Sequence, residues 1–254
     1  MKVDALAFAI QTGCFFLASL INFSMLLSSG AILFILPKIS KIKSSIIEGF
    51  PLFVSSAGIS LFTNSNAVIL GFVSTEAAVG YFVAAFTLVK AVVGLSGPVG
   101  QALFPRVASH FASNSDTLGP FLKQSLLMQA LLGTVLSLAL VFFLPWGITW
   151  FYGASFAGAI VVMAWLSFLP LIICISSTFG LQTLVPLGRG RWFSSVLLLS
   201  GLLNCVLIFP FGYFWGATGG AIAVLITECT ILAGMALGLK RLEPKIWKSM
   251  VPFA

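Results

Sequence analysis

The chain alternates long apolar runs with short polar connections. Each run is close to or longer than the roughly 20 residues that a helix needs to cross a bilayer. None shows the period-two alternation of a membrane β-strand, and only helices or closed barrels satisfy the backbone in lipid. The pattern therefore predicts an all-α, polytopic transmembrane bundle of about seven helices. The predicted spans are 5–36, 46–70, 77–104, 122–146, 157–182, 192–213 and 216–239.

Composition and charge agree with this class of protein. Of 254 residues, 59% are hydrophobic and only 7% are charged, too few to cover the surface of a soluble domain. All of the 13 basic residues except Lys2 and Lys90 lie in alternate connections, on one side of the predicted bundle. The positive-inside rule makes that side cytoplasmic, with the C-terminus inside and the N-terminus outside. The net charge of +7 is thus explained by topology, and no nucleic-acid partner is predicted.

The four cysteines indicate packing and not chemistry. All of them lie in apolar runs, none forms a CxxC pair, and none is close to the single histidine, His110. Free cysteines in such positions act as small hydrophobic residues. We therefore predict no disulfide framework, no metal site and no cofactor.

Two ionisable residues lie deep inside predicted spans. Lys90 is about 14 residues, or ~21 Å, from the outer end of its helix, and Glu228 is about 12 residues, or ~18 Å. A charge at mid-bilayer costs at least roughly 2.5–3.5 kcal/mol, so each should face the bundle interior, a partner or water. One interpretation is a polar lumen where Lys90 meets an anionic substrate and Glu228 handles a coupling cation or proton. The other is that the two residues neutralise each other, or that Lys90 snorkels to an interface, which its central position disfavours.

Neutral polar residues and helix breakers add two weaker signals. Asn66 and Asn204 lie within spans, where amides more often join helices by hydrogen bonds than bind ligands. Gly97, Pro98 and Pro170 interrupt spans, as in transporters that bend between states. Close packing through small residues explains the glycine equally well.

The N-terminus is unusual for a complete membrane protein. The stretch MKVDALAFAI has no separate charged region and no cleavage site, so it does not read as a signal peptide. A short outside terminus before a very long first span predicts that the chain is the later part of a larger transporter, with a seam at 37–45.

Three stretches resemble the bacterial polysaccharide flippases, the Wzx-type transporters of lipid-linked oligosaccharides in the MOP (MATE-like) superfamily. They are ILGFVSTEAAVGYFVAAFTLVKAVVGLSGPVGQALFPRVAS (69–109), FLPLIICISSTFGLQTLVPLGRGRWF (168–193) and GATGGAIAVLITE (216–228). The resemblance implies two six-helix lobes around a cavity that opens to either side in turn. Residues 1–45 would then be the sixth helix and the interlobe linker, 46–239 the second lobe, and 240–254 a basic cytoplasmic tail.

The resemblance also implies a function, which is not enzymatic. The protein would flip an undecaprenyl-pyrophosphate-linked oligosaccharide across the bacterial inner membrane for O-antigen, capsule or exopolysaccharide synthesis. Ion-coupled alternating access, with H+ or Na+ as the coupling cation, would drive it. Its partners would be the lipid-linked glycan, membrane lipid and the polysaccharide polymerase machinery. The candidate residues are Lys90, Arg106, Arg189 and Arg191 for substrate, Glu228, Asn66, Asn204 and Thr227 for the ion, and Gly97, Pro98 and Pro170 as hinges.

Three alternatives remain open at the level of sequence. A MATE-like exporter of small cationic molecules shares the architecture but needs an acid-rich lumen, which a central Lys90 disfavours. A membrane-embedded polymerase or ligase needs catalytic residues in a sizeable outer loop, whereas the outer loops here are short and almost uncharged. The third alternative is an inactive, truncated fragment.

Overall fold

A computed structural model describes residues 2–28, 41–43, 45–46, 65–112 and 118–251. The chain divides into two compact units, residues 1–51 and 52–254. The first unit contains helix α1, Lys2–Ser28. Four polar side chains of α1 donate to carbonyl groups three or four residues earlier in the same helix, so their hydrogen bonds are satisfied within α1. They are Ser19, Asn22, Ser24 and Ser28.

The second unit is helical wherever it is described between residues 65 and 251, apart from short turns. Its first helix, α2, is described over 65–73, so most of the predicted span 46–70 lies outside the described residues. The remaining helices are α3 (Glu76–Gly94), α4 (Gly97–Ala112), α5 (Leu118–Tyr152), α6 (Ala159–Leu166), α7 (Leu169–Phe179), α8 (Gly190–Leu242) and α9 (Pro244–Met250). A 3₁₀ turn, Ala154–Phe156, precedes α6, and a π-helical turn, Gly180–Leu184, follows α7.

Helix α8 is an antiparallel hairpin and not one straight rod. Gly216 has non-helical angles (φ 55°, ψ −131°) and separates an arm α8a, residues 190–215, from an arm α8b, residues 217–242. Trp192 near the start of α8a donates its indole N–H to the carbonyl of Gly234 near the end of α8b, at 3.0 Å. The two spans predicted at 192–213 and 216–239 are therefore the two arms.

Four helical segments are long and apolar enough to cross a membrane within the described residues. They are Glu76–Gly94, Leu118–Leu144, Ala159–Leu184 and Gly190–Leu242, the last containing both arms of the hairpin. The predicted class, an all-α polytopic membrane bundle, is confirmed.

The interior of the second unit contains two apolar clusters. One gathers the start of α3, the end of α5 and the start of α8b around Phe82, Leu144 and Ala221. The other gathers the end of α4, the start of α5 and the end of α8b around Val107, Leu122 and Met235. Because the helices run antiparallel, the two clusters lie at opposite ends of the bundle.

A buried polar layer lies between these clusters. On α5 it occupies positions between Leu122 and Leu140, and on α8b it lies between Val224 and Ile231. Polar atoms this far from water need hydrogen-bond partners or a ligand. Its members, all less than a tenth exposed, include Asn66, Gln129, Ser137, Ser176, Thr178, Gln182, Asn204 and Thr227.

The basic residues of the second unit share one end of the bundle. Among the described residues after 64, every Lys and Arg except Lys90 is within a few positions of a member of the Val107–Leu122–Met235 cluster. The opposite end carries exposed aromatic side chains, typical of a membrane interface. These are Trp146, Trp150, Phe151, Tyr213, Phe214 and Trp215.

Candidate functional site

Lys90 lies on an exposed stripe of α3. The exposed positions of this helix after its first turn are Val83, Thr87, Lys90, Ala91 and Gly94, which recur at helical spacing. The Nζ atom of Lys90 lies 5.2 Å from the centre of the Phe86 ring, a cation–π distance. Lys90 forms no ion pair with any described residue. Its charge is therefore available at the surface of the bundle.

This stripe differs from the other exposed faces of the second unit. Apart from Val83, the side chains beside Lys90 on the stripe are small or polar. The exposed faces of α5 and α8a instead carry large apolar side chains, as surfaces in contact with lipid do. These include Leu127, Leu131, Leu138, Phe142, Leu199, Leu202 and Val206. We call the face from Thr87 to Gln101 the α3–α4 face.

A groove of about 430 Å³ lies beside the second half of the α3–α4 face. Uncharged residues of α4, α5 and α7 contribute to its wall, together with Ser96 in the turn before α4. The groove reaches the buried polar layer, since Gln129 belongs to both. It is lined by Ser96, Gly97, Gly100, Gln101, Phe104, Gln129, Ile173, Cys174, Ser177 and Leu181.

The predicted hinge residues coincide with two helix breaks. Helix α3 ends at Gly94, and α4 begins at Gly97 with Pro98 in its first turn. Pro170 lies in the first turn of α7, after the turn that ends α6. The backbone N–H of Leu171 is freed by this second break and donates to Ser137 Oγ on α5, at 3.2 Å. The Ser137 hydroxyl thus accepts the hydrogen bond of a backbone N–H group that has no partner within its own helix. Bending of the bundle at either break remains a prediction.

Three of the four candidate ion-coupling residues form one buried network. Asn204 on α8a donates its amide to Asn66 Oδ1 on α2 and accepts the Thr227 hydroxyl of α8b at 3.2 Å. The Thr227 hydroxyl also lies 2.8 Å from the carbonyl oxygen of Ala223. Asn66 is 1% exposed and the other two are fully buried. Asn66 Nδ2 has no hydrogen-bond partner in the described structure.

Glu228 follows Thr227 in the sequence but stays outside this network. It is half-buried, and it has no hydrogen bond or ion pair with any described residue. The interpretation in which Lys90 and Glu228 neutralise each other is therefore not what the structure contains. Any role of Glu228 in coupling remains a prediction.

The three arginines proposed for substrate lie at the basic end and differ in their surroundings. Arg106 on α4 and Arg191 at the start of α8a are exposed. Arg189 donates to Glu243 Oε1 through Nε at 3.1 Å and Nη2 at 3.0 Å, joining the loop before α8 to the start of α9. Arg189 and Arg191 line a shallow pocket of about 550 Å³ with Trp192 and Ser195. The ion pair of Arg189 with Glu243 would have to break before the Arg189 guanidinium could bind a substrate with its full charge.

The Arg189–Glu243 pair should contribute little to stability. We expect Glu243→Gln to lower the free energy of unfolding by less than about 1 kcal/mol, because the pair is partly exposed to solvent. Thermal unfolding of purified protein measures this, with Lys245→Gln on α9 as the control. A loss several times larger would show that the pair holds the tail to the bundle.

Two glutamines of the polar layer were not among the candidate residues predicted from the sequence. Gln129 and Gln182 are 2% and 1% exposed, and both lie within spans. An uncharged amide in an apolar run was the only available signal. Their position beside the groove comes from the packing of α4 against α5 and the π-helical turn.

The fold and these sites define a polytopic helical membrane protein with a polar interior layer. Residues 5–111 match the family described as polysaccharide biosynthesis protein. The chain is 31% identical over 233 residues to a protein of Escherichia coli (strain K12) named "Putative O-antigen transporter", a match that covers 92% of the chain and 56% of that protein. A protein of the same name from Shigella dysenteriae is 30% identical over 203 residues, covering 80% of the chain and 50% of that protein.

The chain is thus a relative of the bacterial polysaccharide transporters, and the resemblance that its motifs indicated is confirmed. Both relatives are named as transporters and not as enzymes, in agreement with the prediction that the chain is no enzyme. The chain spans about half the length of the curated relatives it matches. No solved structure is a significant match.

Proposed function

We propose that this chain forms part of a flippase that carries a lipid-linked, acidic oligosaccharide across the bacterial inner membrane. The family match and the names of the two relatives support transport of an O-antigen or a similar polysaccharide. The glycan would move along a polar face of the bundle while its lipid tail stays in the bilayer. The work is conformational, so no covalent chemistry is required.

The observation that carries this proposal is the exposure of Lys90 on the α3–α4 face. An unpaired cation within a span is tolerated only where it meets water or an anion. Apart from Leu95 and Pro98, the exposed side chains of this face are small or polar, so it suits lipid less well than the exposed faces of α5 and α8a, which carry many large apolar side chains. Lys90 would attract the acidic sugars or the pyrophosphate of the substrate as they pass.

The breaks at Gly97–Pro98 and before Pro170 would let the α3–α4 face open toward either side of the membrane. The basic end of the bundle would be cytoplasmic by the positive-inside rule, which places the C-terminus inside. Arg106 and Arg191 would then meet phosphate at the entry side. Polymerase machinery on the opposite side would receive the product.

Ion coupling would act through the Asn66–Asn204–Thr227 network. Its carbonyl and hydroxyl oxygens join three helical segments, so a cation that bound them would alter how the segments pack. The network has no formal charge, which favours Glu228, one residue further along α8b, as the group that takes up a proton or balances Na+. Dependence of transport on a proton or sodium gradient tests this coupling.

Lys90 gives the direct test of the transport proposal. In cells whose glycan export depends on this protein, Lys90→Ala should lower export of an acidic glycan at least about tenfold, because one charge-assisted contact is lost. Lys90→Arg should retain most of the export, and Lys123→Ala at the basic end should have little effect. Normal export by Lys90→Ala at equal protein level would remove Lys90 from the mechanism.

A MATE-like exporter of small cations is the second candidate function. It would need acidic side chains on the α3–α4 face, and the described part of that face carries the cation Lys90 and no acid. Export of a cationic dye that survives Lys90→Ala while glycan export is normal in all variants would favour this candidate.

A further inference from the structure

Three buried amide atoms beside the groove have no hydrogen-bond partner within the described structure. They are Gln129 Oε1, Gln182 Oε1 and Gln182 Nε2. Both side chains are at least nine-tenths buried, with 2% and 1% of their surfaces exposed. Leaving such groups unpaired costs stability, so a fold tolerates them where a ligand or an ordered water completes the hydrogen bonds.

Gly100 brings the two amides together at the groove. A Cβ atom on this residue would lie 3.2 Å from Gln182 Nε2 and 3.9 Å from Gln129 Nε2. Gly100 and Gln129 both line the groove, and Gln182, which is not one of the lining residues, lies next to Gly100. Because glycine has no side chain, α4 can approach the two amides closely at Gly100. A larger residue at position 100 would crowd the Gln182 amide.

The π-helical turn places Gln182 at this point. Val185 N–H bonds to the Gly180 carbonyl at 3.1 Å, one residue further back than in an α-helix. The Thr183 hydroxyl donates to the carbonyl of Thr178 at 2.7 Å and holds the turn in place. Such turns recur at functional sites because they re-aim one side chain from an otherwise regular helix.

We propose that the Gln129–Gln182 amide pair is a binding subsite for an uncharged sugar group, with its hydroxyl or acetamido group bonded to both amides. The pair offers two acceptors and one donor group, which match groups that both donate and accept. Among the described residues that line the groove none is charged, so a neutral part of the glycan fits here. This inference rests on the proposed function. Lys90 would bind the acidic groups of the glycan, and the amide pair would bind its uncharged, hydroxyl-rich sugars.

Binding of a defined neutral sugar tests the subsite. N,N′-diacetylchitobiose is titrated into the full chain in lipid nanodiscs and followed by saturation-transfer difference NMR. We expect saturable binding, with the Kd raised about tenfold by Gln129→Leu and by Gln182→Leu, the loss expected when a hydrogen bond to a buried polar group is removed. Gly100→Ala keeps both amides but narrows the space, and it should raise the Kd as well. Gln124→Leu, an exposed amide on α5, is the matched control and should leave the Kd unchanged.

Stability separates a binding role from a structural one. Because the amides have no partner, the two leucine variants should unfold at the same temperature as the parent or higher. A lower unfolding temperature in both variants, a Kd unchanged in all three groove variants, or no saturable binding by the parent would overturn the subsite. Glycan export in cells is scored in parallel. Normal export without sugar binding rejects the subsite alone, whereas sugar binding without export rejects the proposed transport and leaves the subsite.

Discussion

Gly219→Ala should destabilise the bundle by about 3 kcal/mol, at the upper end of what one added methyl group does in a packed interior. An ideal Cβ on Gly219 would overlap the carbonyl oxygen of Phe211 and lie 3.2 Å from the backbone nitrogen of Gly212. Both obstacles are backbone atoms of the facing arm, so no side chain can rotate away. The arms would have to separate beside the turn at Gly216. Chemical or thermal unfolding in detergent micelles measures the loss.

The matched control is the same substitution where a helix leaves room. A Cβ on Gly147 in α5 would have nothing within 4 Å. Alanine has the higher helix propensity by about 1 kcal/mol, so Gly147→Ala should leave stability unchanged or raise it. Equal stability of the Gly219→Ala and Gly147→Ala variants would contradict the close approach of the two arms of α8.

Asn204→Leu should cost about 1–3 kcal/mol of unfolding free energy, because it leaves the Asn66 amide buried without any partner. Leucine is close to asparagine in size, so packing changes little and the hydrogen bonds dominate the effect. Thermal unfolding of the purified protein is the measurement. Thr227→Val should cost less, since Asn204 keeps its bond to Asn66.

A double substitution decides whether the network acts as a unit. Replacing both partners of a buried hydrogen bond with apolar groups of similar shape is often nearly neutral. Asn66→Leu/Asn204→Leu should therefore be more stable than Asn204→Leu alone, and it should abolish any dependence of transport on the ion gradient. Strictly additive losses would mean that the two asparagines act independently and that no shared ion site joins them.

The class of protein could be predicted from the sequence because lipid imposes a simple rule. An apolar run of about 20 residues must satisfy its own backbone, so length and hydrophobicity alone predict spanning helices. Pro98 and Pro170 could be predicted at helix breaks because proline lacks an N–H and disfavours a helix interior, although Pro105 and Pro210 lie within helices. Asn66 and Asn204 were selected as polar residues in apolar runs and Thr227 through the family resemblance, but no local pattern predicted that the three would touch.

Packing decided which polar residues face each other. Gln129 and Gln182 are 53 positions apart and meet at Gly100, through a glycine contact and a π-helical turn that hydrophobic periodicity does not reveal. The pairing of Arg189 with Glu243 likewise depends on how α9 returns to the loop before α8.

The sequence alone determined that this protein crosses the membrane several times as helices and which end of the bundle carries the cations. It also determined that a charge at Lys90 is unfavourable in the hydrocarbon core of the bilayer. These properties follow from the transfer of each residue type between water and lipid, which acts locally along the chain. Only the tertiary structure decided that Lys90 has no ion pair among the described residues and that a polar layer separates two apolar clusters. Those facts depend on contacts between helices distant in sequence, where a single glycine or hydroxyl sets how closely two backbones approach.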